Sequence, residues 1–457
     1  MPASNAVALH VSTMDKAHEP NPLPLSLSAK AKRTQEAPIT ALIAAAVADP
    51  NLISFAAGLV DPLTLPVDEC AAITQKIFAD RPRAQTALQY DTTLGLRPLR
   101  HQLLAHLEKL ESKPASSMSL TADDIVLTTG SQQTLYLVGD SLIDPGDIVI
   151  AANPSYFVFT GTLQSLGAQV KTVPADDDGM DVEAMAELLR QLERSGQLAK
   201  VKFIYTTSFF DNPTGLTLSL PRRRRMLEIA RQFSRDHRIL ILEDAAYREL
   251  RYDGEALPSI KSFDEQNEFT ILTQTFSKPF APGLKLGYTA MPRSLLEAVL
   301  HQKGNHDFGS ANICQQIALE AMRDGSYSKH LELLKIEYRK KRDLMLASLQ
   351  RHMPKAVSWT HPHGGLYIWL TFPPIIDTSR DSRMFRESLN NHVLYVPGDY
   401  SFQPDETGQI PRNHLRLSFG QVAIEKIDEG IQRLASVVES LLPHTHRQSP
   451  AAAEARR

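Results

Sequence analysis

Short apolar runs rich in β-branched residues recur through the middle of the chain, each bounded by polar or turn-forming residues. Runs at 124–129, 147–152, 201–207, 239–243, 269–275 and 284–290 predict strands, several of them apolar enough to be covered on both faces. Between them, 132–143, 182–193 and 221–236 have helical spacing, the last with Pro221 near a favoured first-turn place. Strand-helix alternation of this kind predicts an α/β fold with a largely parallel sheet covered by helices. From about Tyr327 the pattern changes. A charged amphipathic helix at 329–350 leads to a Gly-rich aromatic segment at 363–372, then to strand-like 393–396 and 415–419, which predicts a second, smaller domain. Residues 1–30 and 443–457 lack sustained periodicity and are expected to be flexible tails.

Composition narrows the class. At 457 residues the chain has room for two or three core-forming units, and 42% hydrophobic with 22% charged residues is ordinary for a globular protein. A net charge of -3 gives no positive field for nucleic acid or anionic membrane. The arginine run 222–225 does not alter this, because consecutive helical positions point in different directions; it reads as a solvated face. Cys70 and Cys314 have no Cys-x-x-Cys partner, which argues against a disulfide framework and a zinc site and favours a reducing compartment. No uncharged apolar run approaches the roughly 18 residues of a membrane span, and residues 1–19 lack the apolar stretch of a secretory signal. The expected location is cytoplasmic.

Chemistry-bearing residues cluster just after the predicted strands, where open α/β sheets gather their ligands. Ser277-Lys278-Pro279 follows one strand, and lysine is the side chain able to form a Schiff base with an aldehyde. Asp244 and Tyr247 follow another, offering an anion for a pyridine nitrogen and a phenol for a ring hydroxyl. Asn212, in Asn212-Pro213-Thr214-Gly215, offers an amide to the same oxygen. Gly130-Ser131-Gln132 opens a helix whose free amides suit a phosphate. Tyr156 has a flat face for stacking. Arg416 alternates with hydrophobes in a predicted strand, so its fork needs an anionic partner such as a substrate carboxylate. Each has a plain alternative: a surface lysine, an N-cap, a turn, a capped helix start, a core tyrosine, a structural ion pair.

Together the segments resemble the fold-type I pyridoxal-phosphate aminotransferases of class I/II, particularly the branch of aminoadipate and kynurenine aminotransferases. The resemblance runs from about Ile53 to Leu434, through Ala57-Gly58-Leu59, Leu88-Gln89-Tyr90, Gly130-Ser131-Gln132-Gln133, Asn212 to Gly215, Asp244 to Tyr247, Ser277-Lys278, Ala281-Pro282-Gly283 and Arg416. It implies a large domain at 71–318 with a mostly parallel seven-stranded sheet, and a smaller α+β domain at 319–442 joined by an N-terminal segment at 31–70. It also implies pyridoxal 5'-phosphate held by Lys278, with Asp244 on the pyridine nitrogen, Asn212 and Tyr247 on the ring hydroxyl and Tyr156 stacked on the ring. Ser131, Gln132, Thr275, Ser277 and Lys285 would receive the phosphate. Arg416 would grip the α-carboxylate beside Gly58, and Tyr90 would reach the phosphate of a neighbouring subunit, implying a homodimer with shared active sites. Lys285 stands where the family usually has arginine, and Thr40 stands where dicarboxylate-using relatives carry one.

The expected activity is ping-pong transamination between an α-amino acid and a 2-oxo acid, with no nucleic-acid or membrane partner and no metal. Two alternatives share these motifs. One is another pyridoxal-phosphate reaction, such as β-elimination or a cyclising synthase. The other is a non-catalytic effector-sensing domain of a transcription regulator, disfavoured by the absence of a basic recognition helix in the roughly 50 residues before the resemblance.

Overall fold

A computed structural model describes residues 25–405 and 407–442, so the expected tails at 1–24 and 443–457 lie outside the described residues. Strands are numbered β1 to β14 along the chain. The large sheet runs, edge to edge, β2 (Ile125–Thr128), β9 (Gly287–Ala290), β8 (Thr270–Thr275), β7 (Leu240–Asp244), β6 (Val201–Thr207), β3 (Ile148–Asn153), β4 (Gln169–Asp176) and β5 (Gly179–Met180). Neighbours from β8 to β4 pair in parallel, whereas β9 is antiparallel to both β2 and β8, and β5 is antiparallel to β4.

The sheet has eight strands rather than the expected seven. The difference lies at one edge. Strand β4 alternates exposed and partly buried residues and contains Pro174, so it carries little of the apolar signal that marks the central strands. It pairs with β3 along most of its length but with β5 at only two positions.

Burial follows the two-residue period of the strands. On one face Ile148, Ile150, Ile204 and Ile241 pack with Met185, Leu189, Met226 and Ile229 from helices Val182–Arg194 and Leu220–Phe233. On the other, Val149, Phe203, Leu242 and Ile271 pack with Val138, Leu163 and Val299 from helices Gly130–Leu142, Phe157–Leu166 and Arg293–His306. Each such side chain contributes roughly 1.5–3 kcal/mol of transfer free energy, which fixes helices on both faces and leaves only the strand ends open.

A second sheet of four strands has the order β10 (Ser358–Trp359), β11 (Tyr367–Thr371), β14 (His414–Ser418) and β13 (Val396–Pro397), all antiparallel. The N-terminal strip joins this part of the molecule. Strand β1 (Ile53–Ser54) pairs in parallel with β12 (Val393–Leu394), Phe55 N–H donates to Leu394 (2.8 Å), and Ser418 N–H donates to Phe55 (2.7 Å). Order begins before residue 30. Ser28 caps a short helix, Ala29–Arg33, and Lys30 Nζ donates to Tyr136 (2.6 Å). No helix among the described residues is long and apolar enough to cross a membrane.

The arginine run departs from expectation at one position. Arg222, Arg224 and Arg225 keep contact with solvent, but Arg223 is fully buried. Its guanidinium donates to the carbonyls of Leu218 (2.8 Å), Pro258 (2.8 Å) and Ser208 (2.6 Å) and lies 4.0 Å from the Phe209 ring centre. Helical geometry explains this: with Met226, Leu227 and Ala230, position 223 falls on the stripe facing the sheet. Arg223 also offsets the buried Glu243 carboxylate, which burial pushes above the usual range. Arg223→Met should therefore lower the unfolding free energy by about 3 kcal/mol or more, whereas Arg225→Ala should change it by less than about 0.5 kcal/mol. Urea unfolding of both variants checks this.

Candidate active site

The carboxyl ends of β2, β3, β6, β7 and β8 open on one edge of the large sheet, and the sequence-predicted residues follow them there. Helix Gly130–Leu142 starts two residues after β2, earlier than the expected Gln132, and presents Gly130, Ser131 and Gln132. Tyr156 follows β3, Asn212 follows β6, Asp244 ends β7, and Thr275, Ser277 and Lys278 end or follow β8. Because β9 runs the other way, its amino end brings Lys285 to the same edge, in left-handed backbone after the short helix Pro282–Leu284. Register locks these groups side by side: Asp244 pairs with Thr207 on one flank and Thr273 on the other, and Thr275 pairs with Gly287.

The opposite wall comes from the smaller sheet and the N-terminal strip. Arg416 projects from β14, and Tyr367 from the neighbouring β11. A tight turn at Gly364 and Gly365 aims β11 into the cleft. Gly365 N–H donates to Leu250 (2.9 Å), and a Cβ on Gly364 would overlap that same carbonyl and the Phe210 ring, so only glycine allows the approach. The resulting cavity of about 460 Å³ is lined by Gly58, Ser131, Gln132, Tyr156, Asn212, Asp244, Tyr247, Thr275, Ser277, Lys278, Lys285 and Arg416, together with residues the sequence reading did not single out.

Within the cleft the polar groups are tied together. Lys278 Nζ donates to the Gly58 carbonyl (2.8 Å). Burial pushes its amine toward neutrality, with Tyr367 and Asp244 opposing the shift and Arg416 and Lys285 adding to it. Arg416 donates to Asn212 Oδ1 (2.7 Å) and to the Ala56 carbonyl (2.7 Å), while its Nε is buried without a partner. Tyr247 and Tyr367 share a hydroxyl–hydroxyl hydrogen bond of 2.8 Å. Tyr156 donates to Gln132 Oε1 at 3.4 Å, and burial raises its phenol well above the ordinary value.

Asp244 is the least comfortable group in the cleft. It accepts from Ala246 N–H (3.2 Å) and the Tyr205 hydroxyl (3.3 Å), yet burial lifts its carboxyl up to about 6, only partly offset by those bonds and by Lys278. Asp211 is likewise raised to about 6 by burial, with Thr214 bonds opposing and the Asp244 charge adding.

One predicted residue stands apart. Tyr90 does not line the cavity; it is 77% exposed, edge-on to the exposed Phe308. Thr40 is exposed on helix Pro38–Ala48, and its neighbour Ile39 faces the cavity instead. Tyr367, Phe157, Val158 and Tyr205 were missed. Tyr367 had a signal in the Gly-rich aromatic segment, but nothing local tells which of its rings turns toward the cleft.

The donor set fits a phosphorylated pyridine aldehyde. A buried carboxylate lacking a close permanent cation suits a protonated ring nitrogen, and an amine whose burial disfavours its charged form suits an aldehyde. The unpartnered Arg416 Nε suits a carboxylate. A helix start with Ser131, the hydroxyls of Thr275 and Ser277, and the Lys285 cation suit a phosphate.

Residues 51–434 match the family described as Aminotransferase class I and II. Aromatic-amino-acid aminotransferase 1 of Thermococcus litoralis is 37% identical over 389 residues, 85% of this chain and 88% of that protein. The crystal structure of Pyrococcus horikoshii kynurenine aminotransferase in complex with PMP, KYN and KYA superposes with a TM-score of 0.83 at 34% identity, covering 91% of this chain and 98% of that one. LysN, the α-aminoadipate aminotransferase of Thermus thermophilus complexed with N-(5'-phosphopyridoxyl)-L-leucine, gives a TM-score of 0.77 at 30% identity, covering 91% and 97%.

A raised native carboxyl binds its proton where the unfolded chain has already released it, so stability falls as pH climbs between the two values. For Asp244 that window is about pH 4 to 6, with an effect on the order of 3 kcal/mol in protein stripped of cofactor. Asp244→Asn should flatten that part of the stability profile and leave the stripped variant more stable than wild type at pH 7. Thermal unfolding across pH 4 to 8 tests it; an unchanged profile would contradict the assignment.

Proposed function

The chain belongs to the class I and II aminotransferases, a pyridoxal-phosphate-dependent family, and from that premise we propose how its residues divide the work of transamination. Pyridoxal phosphate supplies, when bound, an aldehyde carbon that takes up and releases amino groups and a pyridine ring that withdraws electrons. The observation that carries the assignment is the convergence on one cleft of Lys278 from after β8, Asp244 and Tyr247 from the end of β7, Asn212 from after β6 and Arg416 from within β14.

Lys278 would hold the cofactor aldehyde, and its amine is placed to act as the base that takes the proton from the substrate α-carbon. Its burial and the nearby Arg416 and Lys285 keep the amine ready to accept that proton. Asp244 keeps the ring nitrogen protonated. Tyr247 and Asn212 hold the ring hydroxyl; Asn212 Oδ1 is already engaged by Arg416, leaving its amide nitrogen as donor. Tyr156 stacks on the ring. Ser131, Gln132, Thr275, Ser277 and Lys285 hold the phosphate, with the single Lys285 ammonium in place of a two-pronged contact. Arg416 orients the substrate carboxylate beside Gly58, which places the α-hydrogen for transfer.

The side-chain pocket points to a neutral donor. Ile39, Leu59, Phe157 and Val158 line the cavity, and its only lysines or arginines among the described residues, Lys278, Lys285 and Arg416, already have other duties. Thr40 offers no charge for a second carboxylate. A neutral apolar or aromatic amino acid therefore suits the site better than glutamate or aminoadipate, in keeping with the name of the T. litoralis relative.

The assembly read here is a homodimer in which a second copy's tyrosine at position 90 completes the phosphate site. The exposure of Tyr90 beside Phe308, with the exposed Leu63, Val67 and Leu88 on the same N-terminal stretch, supports a covered face there. The division at 71–318 and 319–442, joined by 31–70, fits the two sheets and the pairing of β1 with β12. Two unpaired cysteines suit the reducing cytoplasm.

Single-turnover mixing with an aromatic amino acid should yield one equivalent of 2-oxo acid and aminated cofactor; ammonia or an eliminated side chain would point to another reaction. Lys278→Ala should reduce turnover by at least about 10²-fold. Lys285→Arg should tighten cofactor binding by about threefold to tenfold, measured by titrating stripped enzyme.

A further inference from the structure

Tyr367 reaches three separate parts of the cleft. Its hydroxyl lies 2.8 Å from that of Tyr247, with the two rings edge-on at 5.5 Å. Its ring face carries the Arg416 guanidinium, 4.3 Å from the centroid. Its hydroxyl also fills the space that a Cβ at residue 58 would need, beside the carbonyl that receives Lys278. Resting on the assignment of Tyr247 to the ring hydroxyl, we propose that Tyr367 is the positioning residue that keeps Tyr247 aimed at the cofactor, and that its hydroxyl is the reason residue 58 is glycine.

Of two phenols that share one hydrogen bond, one donates and the other accepts, and the accepting phenol keeps its own hydrogen free for a third group. Burial, and next the Tyr367 phenol itself, hold the Tyr247 proton far above the ordinary range, so Tyr247 stays protonated. When Tyr247 donates a hydrogen bond to the ring oxygen, its own oxygen is left to accept one from the Tyr367 hydroxyl. A phenol that accepts a hydrogen bond donates more strongly. Tyr367 thus strengthens the contact to the ring oxygen without touching that oxygen. Facing Lys278 from other elements are Tyr367 and Asp244, which favour its charged form, and Arg416 and Lys285, which oppose it; Tyr367→Phe removes one favouring group, an effect opposite in sign to the rise expected from weakening the Tyr247 donor.

The readout is the pH midpoint of the visible absorbance of cofactor-loaded enzyme. A donor on the ring oxygen disfavours a proton shared between that oxygen and the Lys278 nitrogen, so weakening the donor raises the midpoint. Tyr367→Phe should raise it by about half to one pH unit, the scale of one neutral hydrogen bond. Tyr247→Phe should raise it further, and adding Tyr367→Phe to that variant should have no added effect. A midpoint unmoved by Tyr367→Phe but moved by Tyr247→Phe overturns the role of Tyr367 and leaves the function intact. A midpoint moved by neither overturns the Tyr247 assignment as well.

The steric half is tested independently by cofactor affinity. Gly58→Ala should weaken binding to stripped enzyme at least about tenfold, and Gly58→Ala with Tyr367→Phe should recover to within about threefold of Tyr367→Phe alone. Equal losses in both backgrounds overturn the claim about residue 58.

Discussion

Hydrogen-bond register in the large sheet is the constraint on which the cleft depends. Side chains alternate faces along a strand, so a slip of one residue in β7 would send Asp244 toward the helices and put Glu243 in its place. Glu243 is already committed below: it accepts from Ser208 Oγ (2.6 Å) and from the amides of Ile260 (2.9 Å) and Lys261 (3.1 Å). Two adjacent buried carboxylates thus face different surroundings, one saturated with donors and one left short of them. The short one is at the cleft.

The same division appears across the molecule. Away from the cleft, several buried charges are paired, as Arg248 is with Glu111 and Lys341 with Asp61 (2.6 Å). Within it, Lys278 is pushed toward neutrality, Asp244 is held protonated higher than usual, and Arg416 keeps an idle nitrogen. Perturbed and incompletely satisfied ionisable groups of this kind are characteristic of sites that bind a ligand.

Much of this was legible in the sequence because the informative residues lie within a few positions of strongly apolar, β-branched runs. The strand ends at Thr207 and Thr275 were readable from the apolar runs, as was that of β7 to within one residue (243 expected, Asp244 observed), and the family resemblance supplied the roles of the residues there. What escaped depended on long-range placement. Tyr367 looks like any strand aromatic until β11 is docked beside β14, and Arg223 looks solvated until the helix is rotated onto its sheet. Strand β4 was hidden by its polar alternation. Tyr90 lies exposed, away from this chain's cavity.

The strip 53–58 has a consequence for synthesis. It leaves the ribosome about 340 residues before the partners that hold it, Leu394 and Ser418, and the Arg416 that bonds Ala56. Until then Gly58 has no fixed place to receive Lys278. A nascent chain can fold its large sheet while growing, since domains form as units during translation, but the wall carrying Arg416 and the hold on residues 53–58 must wait for β14.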